Sequence, residues 1–433
     1  MGLIRIERRV SILSANGLPG FVQRRDLETS FNKTNMRRIQ SAALILLAGG
    51  SSCVPPSVTR VSGGETSASI TPLDLGLRLS AFAHDSMMGR QAGTVWGEKA
   101  GDYVAEQFKR LGVQPAGENG GYFQVVPGIT PRDTTMRRGA ARNVVGIIPG
   151  TDPALRGEYV SITAHNDHIG FTHRVVDHDS LRAFNAIIRP LGADSRPHQP
   201  SPEETTAIRA ILDSLRKIHP LRPDSINNGA DDDGSGTIAL IEIAEAFMKG
   251  SVRPRRSILL VSHTAEEAGL LGSEYFTDHS TIPIDSIVAE FDVDMIGRGS
   301  ARDIKGGGPT YLEVVGLRRL SKEFGDWVEA ANAKQPTPFV FNTDYDAPGH
   351  PDQYYCRADH YSYARYGIPS VSLSRGAHQD YHQVSDEPQY IDYPDYARLT
   401  QMVFDAAVSV GNADHRPRLD APKPTNPHVP CKQ

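Results

Sequence analysis

Cysteine is scarce: Cys53, Cys356 and Cys431 are the only three in 433 residues. None stands in a zinc-finger spacing, so a structural metal held by thiolates is not expected. With Cys53 acylated or removed, one pair remains. A Cys356–Cys431 disulfide would require an oxidising compartment, and nothing else in the sequence asks for it. A basic patch is missing too. The net charge is −5, and it divides into +5 on residues 1–52 and −10 on the remainder. That distribution argues against nucleic acid or an anionic membrane surface as partner. The apolar run Ala42–Ala48 is too short to cross a bilayer as a helix.

What the chain has is 39% hydrophobic and 22% charged residues, over a length that suits one large folded domain or two. The N-terminal part reads as a targeting segment. Met36-Arg37-Arg38 is followed by the apolar run, then by small Gly49-Gly50-Ser51-Ser52 before Cys53. We read Met36 as the start of an exported precursor, with residues 1–53 as extension and signal-like peptide. A membrane tether through Cys53 stays open, because Gly50 stands where lipoprotein motifs carry Leu. The expected destination is the periplasm, a membrane-anchored state or the exterior.

Residues 54–70 form a linker rich in Ser, Thr, Gly and Pro, and one domain is expected over residues 71–412. Over 92–111, Val95, Ala100, Tyr103, Val104, Phe108 and Leu111 share one helical face, stopped by Gly112. Strands are expected at 143–148, 159–164, 257–262, 286–293 and 368–373, with a helix at 237–248 opened by Asp233 and Ser235. Strands alternating with helices predict an α/β fold: a mostly parallel, mixed twisted sheet flanked by helices. Residues 169–228 are a long polar insertion, partly helical from the spacing of Ile208, Ile211, Leu212 and Leu215, lying near the site mouth. Residues 413–433 are Pro-rich and expected to be mobile.

Acidic and imidazole groups gather where the apolar runs end. They are His165-Asn166-Asp167-His168, Gly229-Ala230-Asp231-Asp232-Asp233-Gly234, Glu266-Glu267, Asp294 and Asp380-Tyr381-His382. In an open α/β sheet such ends converge on one crevice. Two metals bridged by a carboxylate, roughly 3.5–4 Å apart, can activate water and polarise a carbonyl. Asp232, in a Gly-flanked turn, suits the bridge. His165 can ligate, with Asp167 accepting its other ring N–H. Glu266 and Glu267 are adjacent and cannot both point the same way, so one can bind metal while the other serves as base. Nitrogen and oxygen donors without thiolate suit zinc, with manganese and cobalt as alternatives. His168 is read as a pocket wall, His263 as a packed histidine, the insertion histidines as surface residues, and Asp386 as an orienter of His382 or a turn cap.

Taken together, these motifs resemble the aminopeptidase Y type of di-zinc exopeptidases, whose relatives include glutamate carboxypeptidase and glutaminyl cyclase. The resemblance covers about residues 71–412 and rests on His165-x-Asp167, residues 229–236, Glu266-Glu267 with Gly269–Ser273, Asp294–Gly297, Arg357–His360 and Tyr381-His382. It implies two Zn2+ ions, one held by His165, Asp232 and Asp294, the other by Asp232, Glu267 and His382. It implies Glu266 as general base, Asp167 as support for His165, Tyr381 as donor to the oxyanion, and a cis peptide after Asp232. Asp233 departs from the commoner Asn, and the insertion is longer than usual. The expected activity is that of an aminopeptidase on peptide or amino-acyl substrates. A carboxypeptidase on this scaffold would need a basic clamp, for which Arg357 and Arg375 are candidates; a cyclase, a non-peptide amidohydrolase and a non-catalytic module are the other readings.

Overall fold

A computed structural model describes residues 66–433 apart from 133, 134, 197 and 305. The signal-like segment, Cys53 and most of the linker lie outside the described residues. In chain order come α1 (Pro72–Phe82), α2 (Val95–Leu111), β1 (Gln114–Pro115), β2 (Phe123–Val125), β3 (Arg142–Ile148) and β4 (Tyr159–His165). The insertion contributes β5 (Phe171–Asp177), α3 (His178–Ile188), α4 (Pro202–Leu215) and β6 (Pro223–Ile226). Then follow α5 (Gly234–Lys249), β7 (Ser257–His263), α6 (Leu271–Asp278), β8 (Ile287–Val293), β9 (Tyr311–Val315), α7 (Lys322–Asn332), β10 (Val340–Asn342), α8 (His360–Ala364), β11 (Ser370–Ser374) and α9 (Tyr393–Asn412).

The main sheet runs β1-β3-β7-β4-β8-β11-β9-β10, with β2 also on β3. Its centre, β7-β4-β8-β11, is parallel. β3 lies antiparallel to β7, and β9 antiparallel to β11, so the sheet is mixed at its flanks. A parallel centre must be covered on both faces, and alternate residues of one strand serve the two covers. Ile258 and Leu260 of β7 join a core with α1, α2, α5, α7 and α9, while Leu259 and Val261 face Phe276 of α6 and Tyr363 of α8.

Local signals set the helix ends. The Thr94 hydroxyl accepts from the Trp96 and Gly97 N–H groups at 3.2 Å, and Gly112 closes α2 in the left-handed region at φ 79°. The Asp233 carboxylate caps α5, accepting from Gly236 N–H at 2.8 Å. That helix starts at Gly234, three residues before the expected 237.

The insertion is more ordered than its polarity suggests. β5 and β6 make a two-stranded antiparallel sheet, and α4 carries a capping box between Ser201 and Glu204. His178 is buried rather than on the surface, with its Nε2 2.8 Å from Asp224 Oδ2. Residues 413–433 are also held, against expectation. Arg416 donates to Glu158 at 2.8 Å, Lys423 to Asp285 at 2.7 Å, and Cys431 is disulfide-bonded to Cys356. Ion pairs and a cross-link that fall far apart in sequence leave no local pattern to read. Among the described residues no helix is long and apolar enough to cross a membrane.

Candidate active site

The four central strands end side by side, and every expected ligand sits at or just beyond one of those ends or at the α5 N-terminus. His165 closes β4, Glu266 and Glu267 follow β7, Asp294 follows β8, and His382 lies in the segment after β11. Asp232 precedes α5, and the Asp232–Asp233 peptide is cis.

The two oxygens of Asp232 face different neighbours. Oδ1 is 3.3 Å from His165 Nε2, while Oδ2 is 3.0 Å from His382 Nε2. His165 Nε2 also lies 3.8 Å from Asp294 Oδ1 and 3.9 Å from Glu266 Oε2. His382 Nε2 is 3.1 Å from Glu267 Oε2. Asp232 Oδ2, Asp294 Oδ1 and Glu267 Oε1 are buried without a hydrogen-bond partner. Orphaned carboxylate oxygens facing imidazole nitrogens are what a divalent cation satisfies. The residues therefore fit metal, and zinc by donor type. Asp233 lies within reach of His165 and Asp294 as well. Its oxygens are already taken by the N–H groups of His165, Gly236 and Met295, so it serves as scaffold.

Burial alone would raise the Asp232 carboxyl; the imidazoles of His168, His165 and His382 overcome this and hold it well below the carboxylate range. Glu266 goes the other way. Burial pushes it well above its ordinary value, Glu267, Asp359 and Asp294 add to the rise, and His165 opposes it.

Supporting contacts differ in part from expectation. The His165 Nδ1–H donates to the main-chain oxygen of Asp167 at 3.1 Å, while the Asp167 carboxylate is 3.7 Å away and instead accepts from Glu266 N–H at 3.2 Å. Asp386 accepts from the N–H groups of Asp231 and Asp232 at 3.1 Å, holding the Asp232 turn rather than His382. Asp231 is fully buried, accepting from Gly297 N–H at 2.6 Å, and burial raises its carboxyl to about 7. His263 is packed as expected, 3.0 Å from the Tyr363 hydroxyl, and burial lowers its imidazole to about 3. His360 is buried with Nδ1 3.8 Å from Asp292, which places it as a brace beneath the site.

Two contributors escaped the sequence reading. Arg90 is fully buried and donates to Asn166 O at 3.1 Å and Gly229 O at 2.8 Å, tying the His165 segment to the Asp232 turn. Its only sequence signal is an arginine in an unremarkable stretch. His168, read as a pocket wall, is one of four residues whose ligand atoms converge on one point, with Asp232, Glu267 and His382. Its signal was its place three residues after His165. Above the carboxylates opens a pocket lined by Met295, Glu313, Val315, Tyr354, Arg357, Ser372 and Tyr381. Tyr381 stacks on His382 with ring centroids 3.9 Å apart. Arg375 is not in this pocket: its guanidinium is spent on Arg298 O and on Gly308 O.

A mixed sheet carrying a thiolate-free cluster of carboxylates and imidazoles at its strand ends offers a donor set suited to divalent metal. The profile of peptidase family M28 matches residues 143–407. The chain belongs to that family. It is 31% identical over 211 residues to the probable leucine aminopeptidase 2 of Aspergillus oryzae, covering 46% of this chain and 35% of that one. With leucine aminopeptidase 1 of Emericella nidulans it shares 27% over 250 residues, 54% of this chain and 57% of that one. The chain thus spans less than two thirds of the length of these curated relatives. Its fold resembles a leucine aminopeptidase precursor from Bacteroides thetaiotaomicron at a TM-score of 0.52, 16% identical, covering 78% of this chain and 97% of that one. It resembles a zinc aminopeptidase from Bacillus subtilis at 0.50, 15% identical, covering 79% and 95%.

Proposed function

We propose that this chain is an exported exopeptidase using two zinc ions, and that it acts as an aminopeptidase. The observation that carries the two-ion reading is Asp232, whose two oxygens face separate donor groups 3.3 and 3.0 Å away. One position would be formed by His165, Asp232 and Asp294, the other by Asp232, Glu267 and His382. Bound zinc would supply Lewis acidity toward the scissile carbonyl and make a water acidic enough to deprotonate near neutrality.

The residues divide the remaining work. Glu266, raised by burial, takes a proton from the attacking water and returns it to the leaving amine. The Tyr381 hydroxyl, on the pocket wall, donates to the oxygen that becomes negative. Asp167 fixes the His165 ring through its carbonyl and the Glu266 backbone through its carboxylate. The acidic groups Glu266 and Asp294 at the pocket floor favour a substrate with a free α-ammonium group. Arg357 on the opposite wall supports a second reading, in which the enzyme grips a substrate carboxylate. Export is supported by residues 36–53 of the sequence and by the Cys356–Cys431 disulfide, which suits an oxidising compartment.

Metal analysis together with hydrolysis of amino-acyl anilides and N-blocked controls tests this. About two zinc per chain with cleavage of unblocked substrates alone is the expected result. Two zinc with cleavage only of N-blocked, C-terminally free peptides would overturn the aminopeptidase assignment in favour of the Arg357 reading.

A further inference from the structure

His168 stands outside the ligand set just proposed, yet its ring is aimed into it. The residue is fully buried. Its Nδ1 lies 2.9 Å from Glu267 Oε1 and 3.6 Å from Asp232 Oδ2. Neither ring nitrogen has a hydrogen-bond partner among the described residues, and neither does Glu267 Oε1 or Asp232 Oδ2. The close approach to Glu267 does not meet the alignment of an N–H···O bond, so both atoms remain unpartnered. His382 completes the arrangement, its ring centroid 5.6 Å from that of His168 in an edge-on orientation. Ligand atoms of the four residues all lie within 4.8 Å of one another.

The ring is also locked in place. Gly229 sits against it with φ +53°, and a Cβ there would come within 2.5 Å of the His168 Cγ. Behind it, His168 N–H donates to Arg90 O at 3.4 Å. Both ring nitrogens of this immobilised, buried imidazole are unsatisfied among the described residues, and Nδ1 is the one that faces the carboxylates.

We propose that His168 is a fourth protein ligand, through Nδ1, to the ion held by Asp232, Glu267 and His382. The inference rests on the two-metal reading above. It makes the positions unequal. The first has three protein ligands and keeps open coordination for water and substrate. The second has two imidazoles and two carboxylates, a donor set as full as that of a structural zinc site, so its ion is the one retained on dilution.

Loading the histidine-15N-labelled protein with 113Cd and recording 113Cd–15N scalar coupling tests the ligand directly, without reference to turnover. Coupling to Nδ1 of His168, alongside coupling to His165 and His382, is expected. Coupling at His165 and His382 but not at His168 overturns the inference and leaves the two-metal reading standing. No coupling at any of the three overturns both. The coupling is read on the native sequence and does not depend on a variant folding. In chelator competition, His168→Asn is expected to release the second ion about tenfold or more readily, with the first unchanged; equal retention of both ions by variant and native protein counts against ligation.

Discussion

Glu266 and Glu267 are chemically identical neighbours that the fold separates by about a hand's turn of backbone. Ala265, just before them, has φ 59°, so the pair leaves β7 through a sharp bend and the two carboxylates diverge. Glu267 is held below its ordinary value because His168 and His382 outweigh burial and the charge of Asp232, while Glu266 is raised. Environments that push two like groups apart assign them different tasks. Glu266→Gln should keep its metal and lose about 10²–10⁴-fold in kcat, the usual worth of a positioned base. Metal analysis beside steady-state kinetics checks this; a metal-loaded variant turning over at the native rate would remove Glu266 from the mechanism. At this scale the expected ligands were legible, because acidic and imidazole residues ending apolar runs are conspicuous. Arg90 was not, and for Asp386 holding a turn was only one of two readings. Both act on main-chain atoms of residues far along the chain, and such a contact leaves no pattern near either partner.

Elements explain why the segment after β11 holds its shape without regular structure. The insertion supplies the brace. From α3, Arg182 donates to Asp380 Oδ2 at 2.5 Å and Asn185 to Gln383 Oε1 at 2.6 Å, and Arg189, just past its end, donates to Gln379 O at 2.7 Å. Asp380 is shared with Arg298 at 2.8 Å and Ser385 at 2.7 Å. These contacts flank His382 on both sides. Arg182→Ala removes a partly exposed pair with Asp380 and a stacking contact on the Tyr390 ring, while Arg298 still neutralises Asp380, so a cost of about 1 kcal/mol is expected. It should be felt as roughly a fivefold fall in kcat/KM with little change in melting temperature. Unaltered kinetics would show that the loop does not need the insertion. The helical spacing of residues 208–215 made α4 legible, whereas β5 and β6 were not, since a two-stranded pair with no fully buried side chain lacks the apolar alternation by which strands are recognised.

Across the whole molecule, the proposed metal centre joins segments far apart in the described domain, from His165 to His382. Removing the ions removes a stabilisation that unfolded chain cannot match, about 4 kcal/mol for an ion present at a thousand times its dissociation constant. Chelated protein should melt several degrees lower and recover when zinc is restored; an unchanged melting curve would mean that the site is rigid without its ions. The overall architecture was legible because the central strands read as short runs rich in apolar and β-branched residues, buried on both faces even where Ser161, Thr163, Glu290 and Asp292 interrupt them.

One consequence lies in the strand order itself. In space the central strands run β7-β4-β8-β11, so β4 is inserted between two strands made after it, and the last to arrive carries His382 on its following loop. A chain emerging from the ribosome therefore offers Asp232 and Glu267 long before the final imidazole exists. The full ligand set proposed for the second ion is complete only once synthesis has passed residue 382, so its tight retention would belong to the nearly complete polypeptide, wherever that polypeptide finishes folding.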